Sequence, residues 1–354
     1  MKATFFQQLN EGKPLTFASR KLMKVSCLGD SITAGSFNVP HASSIWYPTH
    51  ANHLLAQNPG ITVTTGENLF VAKEAFLSSG ASYSGNQFSL TSGPDNPRTY
   101  ITIGKKESIP ADDDLYLLKG ELDSSLCAGA QLALVVFGLD ENDEIVEASW
   151  QYAGGYDVDS HGYVEVNYVF SPRFIASLDS RVNRVGVGAV LEGDGQLKTG
   201  KVRNVRLYKL SAGIALHNQG VSYTTIAQGL STIEKVLKWQ PEVCIIAYGT
   251  NDIRNGVSLE DYFADLKKTV EILREHEIFS IISTLPPLGS DQINHDKVQD
   301  WNSAIIAKAQ EWQCGLWDRW QAFDNGDLKF IEDGRHPTRE GYLRLGEDVL
   351  RFFI

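Results

Sequence analysis

The stretch KVSCLGDSITAG, Lys24 to Gly35, decides the fold of this chain. Its short apolar run stops at Gly29 and is followed by Asp30 and Ser31. A run of this length that ends at a glycine predicts a buried strand that turns into a loop or a helix start. Ligand and catalytic groups gather at such strand ends in open α/β sheets. Ser31 is therefore either a nucleophile or only a cap for the helix that follows.

The composition is that of a globular protein: the chain has 354 residues, of which 42% are hydrophobic and 21% are charged. Its net charge of −11 argues against nucleic acid or an anionic membrane as the main partner. The four cysteines are scattered and form no CxxC pair, which argues against a structural zinc site or a disulfide framework. We expect no metal or organic cofactor.

The segment MKATFFQQLNEGKPL, residues 1–15, lacks the basic end and the apolar run of a signal peptide. No stretch of the sequence approaches the ~20 apolar residues that a membrane-spanning helix needs. The sequence predicts a soluble protein that acts in the cytoplasm or reaches another place by a different export route or by assembly into a larger particle. It leaves the location and the oligomeric state open.

The C-terminal part of the chain alternates short apolar runs with amphipathic stretches. The runs 243–248 and 279–285 predict buried strands, and the 3.6-residue period of 258–277 predicts a helix. Residues 295–312 and 338–353 predict two more helices. Strands that alternate with helices of this length indicate βαβ units and a parallel sheet. Before residue 61 the chain has the same α/β texture.

Residues 61–208 have a different texture, with short alternating segments such as YLLKGEL and RVGVGAVL separated by turn residues. Several short strands at this spacing predict an antiparallel β-sandwich. Because the α/β texture resumes afterwards, we interpret this block as a domain inserted into a loop of the α/β domain. Its acidic run DENDE, residues 140–144, is either a solvated turn or a calcium site.

Candidate catalytic partners for Ser31 stand near the C-terminus. Among eight histidines only His336 follows an aspartate, Asp333, by three residues. That spacing lets a carboxylate orient the imidazole of its own loop while the other ring nitrogen faces a nucleophile. Thr338 is a predicted N-cap of the final helix.

Two further polar turns carry candidate site residues. The turn YGTND, 248–252, follows one predicted strand, and HNQGVS, 217–222, follows the apolar run AGIAL. A parallel sheet would bring these turns to one edge together with Ser31. Acyl transfer needs a nucleophile, a base, a group that orients the base, and donors for the oxyanion. The backbone N–H groups of Ser31 and Gly220 and the side-chain amide of Asn251 can supply those donors.

The ordered blocks GDSIT, NQGVS, GTND and DGRHPT resemble those of the SGNH hydrolases, also called GDSL esterases/lipases. The resemblance implies that Ser31 is the nucleophile and that Asp333 and His336 complete the triad. It implies that Ser31, Gly220 and Asn251 form the oxyanion hole. The resemblance also implies an α/β fold, a flavodoxin-like three-layer sandwich with a parallel sheet.

The resemblance covers residues 1–60 and 209–354, which we expect to form a discontinuous catalytic domain. The block 61–208 resembles the jelly-roll carbohydrate-binding modules of glycan-active enzymes in its texture, its length and its closing strand. It is either a carbohydrate-binding module or a structural or oligomerisation domain.

Several of these residues have a plainer interpretation. Asn and Asp, as at positions 251 and 252, are also typical of turns and helix caps. Gly220 can be required only for a backbone conformation that other residues disfavour. One position departs from the family: many relatives have a glycine where Tyr223 stands, which affects the shape of the adjacent pocket.

Together the residues predict a serine esterase that removes small acyl groups, acetyl above all, from a carbohydrate or polysaccharide through an acyl-enzyme. The expected partner is an acetylated carbohydrate, with no nucleic acid and no membrane. Two alternatives stay open: a lipase or thioesterase that acts on longer acyl chains, and a glycan-binding or attachment protein with vestigial catalysis.

Overall fold

The computed structural model describes residues 2–15, 22–35, 46–102, 108–123, 125–127, 130–155, 162–193, 195–289 and 292–354. The chain divides into two compact units, one of residues 1–36, 46–51 and 216–354 and one of residues 37–45 and 52–215. The sequence placed its domain boundaries at 60/61 and 208/209 instead, so the boundaries of the catalytic domain and of the insert remain a prediction.

The described residues form sixteen strands. In chain order these are β1 (Leu22–Gly29), β2 (Val63–Thr65), β3 (Phe76–Leu77), β4 (Ala81–Ser84), β5 (Gln87–Ser92), β6 (Arg98–Thr102), β7 (Ile109–Pro110), β8 (Tyr116–Asp123), β9 (Gln131–Leu139), β10 (Ile145–Gly155), β11 (Val164–Phe170), β12 (Arg184–Glu192), β13 (Lys198–Gly220), β14 (Val243–Ala247), β15 (Phe279–Ser283) and β16 (Gly315–Trp317).

The same residues form eleven α-helices. In chain order these are α1 (Lys2–Asn10), α2 (Ser31–Ala34), α3 (Tyr47–Gln57), α4 (Pro172–Leu178), α5 (Ile226–Ser231), α6 (Ile233–Trp239), α7 (Thr250–Arg254), α8 (Leu259–Glu275), α9 (Gln292–Glu311), α10 (Arg319–Ala322) and α11 (Arg339–Val349).

The sheet of the first unit has the order β13-β1-β14-β15-β16. The pairs β1–β14, β14–β15 and β15–β16 are parallel. Numbered within this unit alone, the strands lie in the order 2-1-3-4-5, which is that of flavodoxin-like folds. The predicted fold class is therefore confirmed. Ligands bind such sheets at the carboxyl ends of the strands where the strand order reverses, here the ends of β1 and β14.

Helix α8 shows why the predicted helices form. Its N-cap Ser258 accepts a hydrogen bond from the Asp261 amide at 3.0 Å. Its apolar residues recur with the helical period, so that Tyr262, Leu266 and Val270 are all buried in one core cluster with β14 and β15. The helix begins one residue after the predicted start at 258 and ends two residues before the predicted end at 277.

The strand β13 differs from the sequence prediction. We expected the apolar run AGIAL to stop at residue 216 and a polar turn to occupy 217–222, but the strand continues to Gly220. The cause is His217, which is completely buried and packs edge-on against Trp239 with ring centroids 4.5 Å apart. Burial lowers the pKa of His217 to about 3, so the ring is neutral and acts as a core residue.

The second unit contains two antiparallel sheets. One has the order β10-β9-β12-β6-β3, and β7 also pairs with β12. In the other, β13 pairs with β8 and β5, and β8 pairs with β11. The strand segments predicted between residues 116 and 210 all form strands of these sheets. Antiparallel pairing leaves alternate side chains on each face.

Within the described part of the chain, no helix combines the length and the apolar character that a membrane crossing requires. All four cysteines are free and buried.

Asp252 joins the end of β14 to the start of α5. Both of its carboxylate oxygens accept a hydrogen bond from the Ile226 amide, at 3.1 and 3.3 Å. The predicted capping role is therefore present, but it serves α5 and not the helix to which Asp252 belongs. Burial raises the pKa of Asp252 to about 6.

The raised pKa of Asp252 makes stability depend on pH. An unfolded aspartate titrates near ~3.9, so the folded state holds the proton more tightly, and this contribution is lost as the pH rises through about 6. Between pH 4 and pH 7 the free energy of unfolding of the wild type should fall relative to Asp252→Asn by about 2 kcal/mol. Urea denaturation at several pH values measures this. The exposed Glu260→Gln is the control, and a difference that is flat with pH would contradict the assignment.

Candidate active site

Ser31 is the first residue of α2, directly after β1. The N-cap of this helix is Asp30, whose Oδ1 accepts the Ile32 amide at 2.9 Å. The sequence left open whether Ser31 caps this helix. In the structure Asp30 is the cap, so the Ser31 hydroxyl is left for other contacts. Ser31 retains 9% of its surface exposed.

Ser31, His336 and Asp333 form a continuous hydrogen-bonded chain. The Ser31 Oγ lies 2.9 Å from His336 Nε2. The other ring nitrogen, Nδ1, lies 2.7 Å from Asp333 Oδ2. The structure thus brings the three residues together in the order that a nucleophile, a base and an orienting carboxylate require.

The loop before α11 holds its own carboxylate in place. Asp333 Oδ1 accepts the amides of Arg335 at 3.1 Å and His336 at 2.8 Å, while Oδ2 is left for the imidazole. Thr338 accepts the Gly341 amide at 3.2 Å and caps α11, as predicted. The three-residue spacing in the sequence is therefore the spacing of one tight turn.

Asn251 lies where β14 turns into α7. The turn is possible because Gly249, the N-cap, has a φ of +118°, a value that side chains disfavour. The Asn251 amide Nδ2 donates to the Thr224 carbonyl oxygen at 2.9 Å. A side-chain amide carries two N–H groups, so this contact fixes the side chain and leaves one donor. Only 8% of Asn251 is exposed.

Gly220 packs directly on the helix that carries Ser31. A Cβ atom at this position would lie 2.2 Å from the backbone nitrogen of Ala34, so only glycine permits the contact. The Gly220 amide donates to Asn218 Oδ1 at 3.0 Å. The predicted oxyanion donor therefore has a protein partner in this structure, and its need for a glycine comes from close packing.

Tyr223 stands where many relatives have a glycine, and its backbone has a conformation that favours glycine. It has a φ of +66°, in the left-handed region where a side chain costs roughly 1–2 kcal/mol. Its ring is 76% exposed. The next residue, Thr224, supplies the carbonyl that holds Asn251, so the strained turn sits beside the predicted oxyanion site.

Arg319 is a buried charge that sequence reasoning missed. It is the first residue of α10, two positions after the end of β16, and its side chain is completely buried. Two charged residues after a buried strand were the available signal, in the letters LWDRW. The buried carboxylate of Asp30 attracts it.

Among the described residues, no group of three or more His, Cys, Asp or Glu side chains could hold a metal ion. The acidic run 140–144 forms the turn between β9 and β10, where Asp140 Oδ1 accepts the amides of Asn142 and Glu144. Asp143 is paired with Arg184. These contacts are those of a hydrogen-bonded turn.

Residues 179–344 match the family model "GDSL-like Lipase/Acylhydrolase family". The match contains Gly220, Asn251, Asp333 and His336, whereas Ser31 lies before it. No curated protein sequence matches the chain.

The solved structures similar to this chain include the following three. A peptidoglycan O-acetylesterase is 14% identical, with a TM-score of 0.46, 98% of this chain covered and 93% of that chain. An acetylxylan esterase from Geobacillus stearothermophilus is 23% identical, with a TM-score of 0.36 and coverages of 40% and 72%. A GDSL-like lipase from Bacteroides thetaiotaomicron is 22% identical, with a TM-score of 0.35 and coverages of 38% and 73%. Likenesses this distant carry no argument about substrate.

The family match covers 166 of the 354 residues, and this part of the chain is similar to the GDSL-like lipase/acylhydrolase family.

Proposed function

We propose that this protein is a serine esterase that removes small acyl groups, acetyl above all, from a carbohydrate or polysaccharide. The observation that carries the proposal is the chain of hydrogen bonds from Ser31 Oγ to His336 Nε2, 2.9 Å, and from His336 Nδ1 to Asp333 Oδ2, 2.7 Å. A hydroxyl, an imidazole and a carboxylate aligned in this order support nucleophilic acyl transfer.

In the first half of the reaction, His336 Nε2 takes the proton of Ser31 while Oγ attacks the ester carbonyl. Asp333 accepts a hydrogen bond from the Nδ1–H group, so it selects the tautomer with a free lone pair on Nε2 and stabilises the imidazolium that forms. The backbone amides that bind the other oxygen of Asp333 keep this carboxylate from turning away.

The developing oxyanion needs donors close to Ser31. The Ser31 amide, the Gly220 amide and the remaining N–H of Asn251 fill this role in our proposal. The Gly220 amide must then exchange the neutral oxygen of Asn218 for the oxyanion. A hydrogen bond to a charged acceptor is roughly twice as strong as a neutral one, which favours the exchange.

In the second half, His336 gives its proton to the departing sugar hydroxyl, and Ser31 is left acylated. Water then enters, His336 removes its proton, and the same donors hold the second tetrahedral oxyanion. His336 returns this proton to Ser31 Oγ as the bond between Oγ and the acyl carbon breaks, and release of the carboxylic acid restores the free enzyme. The residues described here are sufficient for each of these proton transfers.

A small acyl group suits the restricted access to the site. Ser31 is 9% exposed, Asn251 8% and His336 7%. A lipase or thioesterase would have to seat a long acyl chain beside these residues, and turnover of acetyl against octanoyl esters separates the two. A vestigial site is disfavoured because all the groups needed for acyl transfer stand within hydrogen-bonding distance of their partners.

Replacing Ser31 by Ala should abolish release of acetate from acetylated polysaccharides and hydrolysis of p-nitrophenyl acetate, because no nucleophile remains. A loss of at least about 10³-fold is expected. Thermal unfolding checks that the fold persists. Ser258→Ala, which removes an exposed hydroxyl from the N-cap of α8, is the matched control and should keep wild-type turnover. Retained hydrolysis by Ser31→Ala would disprove the assignment.

We further propose that the second unit binds the glycan. It contains a cavity of about 320 Å³, and its lining includes the rings of Phe76, Tyr100 and Phe137 and the carboxylates of Glu144 and Glu147. Phe76 is 48% exposed and its ring lies 6.1 Å from that of Tyr100. Apolar walls with a few polar groups are typical of small-ligand sites, and ring faces beside carboxylates suit the apolar faces and hydroxyls of a pyranose.

Replacing both Phe76 and Tyr100 by Ala should weaken binding of acetylated polysaccharide by about tenfold or more, corresponding to about 1.4 kcal/mol. Turnover of p-nitrophenyl acetate should be unchanged. Leu197→Ala, at an apolar side chain that is 75% exposed and does not line the cavity, is the control. Affinity electrophoresis measures the binding. Unchanged binding in the double variant would leave the unit with a structural or oligomerisation role.

A further inference from the structure

Asp30 determines the direction of the short helix that begins with Ser31. Its Oδ1 accepts the Ile32 amide at 2.9 Å. Its backbone carbonyl accepts the amides of Thr33 at 3.1 Å and Ala34 at 2.9 Å. Helix α2 is only four residues long, so most of its amide protons are bound by this one residue. A shift of Asp30 would therefore shift the nucleophile.

The carboxylate of Asp30 is completely buried. Its second oxygen, Oδ2, has no hydrogen bond of ordinary length among the described residues, although the Thr250 hydroxyl interacts with it more weakly. Burial raises the pKa of Asp30, and the charge of Arg319 is the largest influence that lowers it. The ionised form that caps α2 thus depends on a compensating positive charge.

Arg319 supplies that charge from a fixed position. Its side chain is completely buried, and its Nε donates to the Thr284 carbonyl oxygen at 2.7 Å. The hydroxyl of Thr284 donates to Asp318, the N-cap of α10, at 2.9 Å. The loops after β15 and β16 therefore hold the guanidinium between them.

The two terminal nitrogens of Arg319 have no hydrogen-bond partner among the described residues. Burial lowers the pKa of Arg319, and the first influence that raises it is the charge of Asp30. The Tyr47 hydroxyl, which also interacts with this guanidinium, lies 3.4 Å from the hydroxyl of Thr33 in α2. The charge of Arg319 therefore acts on the helix that carries Ser31.

We propose that Arg319 is a positioning residue for the acyl transfer: it offsets the buried charge of Asp30 and thereby keeps α2 and the Ser31 hydroxyl aimed at His336. This inference rests on the proposed function, because it assumes that Ser31 is the nucleophile. The hydrogen bond that Arg319 donates goes to Thr284, and the first charge that acts on it is that of Asp30, so its effect on Ser31 passes through Asp30. An arginine that served only packing would affect stability without affecting the reactivity of Ser31.

The test compares Arg319→Met, Arg319→Lys, Asp30→Asn and the double variant Asp30→Asn/Arg319→Met in the full chain. Two readouts are used: kcat and KM for p-nitrophenyl acetate, and the rate constant for phosphonylation of Ser31 by a fluorophosphonate. Arg344→Met is the matched control, since it removes an arginine that pairs with Asp324 at a half-exposed site.

Arg319→Met should lower kcat and the phosphonylation rate together by about 10- to 100-fold, since small displacements of a reacting group have effects of this size. KM should change by less than about twofold, because substrate contacts are kept. Arg319→Lys retains the charge and should stay within about fivefold of the wild type. The double variant should be at least as fast as Asp30→Asn, because it leaves no unpaired charge.

Wild-type phosphonylation and kcat in folded Arg319→Met would overturn the proposal. If that variant does not fold, the double variant decides: a double variant slower than Asp30→Asn would mean that Arg319 acts by another route. A wild type that the fluorophosphonate does not label would contradict the nucleophile and this inference together. A wild type that is labelled but releases no acetate from polysaccharides contradicts only the proposed substrate.

Discussion

The hydrogen bond between Ser31 Oγ and His336 Nε2 joins residues 305 positions apart in the chain. Such a contact forms only if the ends of distant strands and loops meet at one edge of a sheet. The parallel order 2-1-3-4-5 provides this edge, because every strand of the unit ends there and the order reverses between β1 and β14. The positions of Asn251, Gly220 and Asp333 follow from the same constraint.

Short local elements then position each of the candidate catalytic side chains on that edge. A capped four-residue helix presents Ser31, a tight turn presents His336, and a glycine with positive φ precedes the helix of Asn251. These elements are short and have few contacts of their own, so their geometry depends on hydrogen bonds to fixed neighbours. Residues that touch no substrate can for this reason control the nucleophile.

Much of the α/β unit was predictable because its strands and helices are long enough to show their period. The triad was predictable because Asp333 and His336 lie on one turn, and their spacing is visible in the sequence. The end of β13 could not be predicted from the sequence, because the burial of His217 depends on Trp239, which is distant in the sequence. The partner of the Gly220 amide and the positive φ of Tyr223 depend likewise on backbone geometry that residue patterns do not encode.

Buried charge was the hardest feature to predict. In the sequence Arg319 lies between Asp318 and Trp320 and resembles an ordinary surface arginine at a strand end. Its burial requires a carboxylate from β1 and a carbonyl from the β15 loop, which only the folded sheet places together. The pattern of a single sequence shows which residues are apolar. It does not show which charged residues pair with one another in the folded protein.

The central claim is that Ser31 becomes acylated during turnover. Rapid acid quenching of the protein during hydrolysis of p-nitrophenyl acetate, followed by peptide mass spectrometry, tests it directly. The account predicts one acetyl group per chain, attached to the peptide that contains Ser31, which forms and decays at rates consistent with kcat. Turnover with no acetyl group on Ser31, or with the acetyl group on another residue, would contradict it.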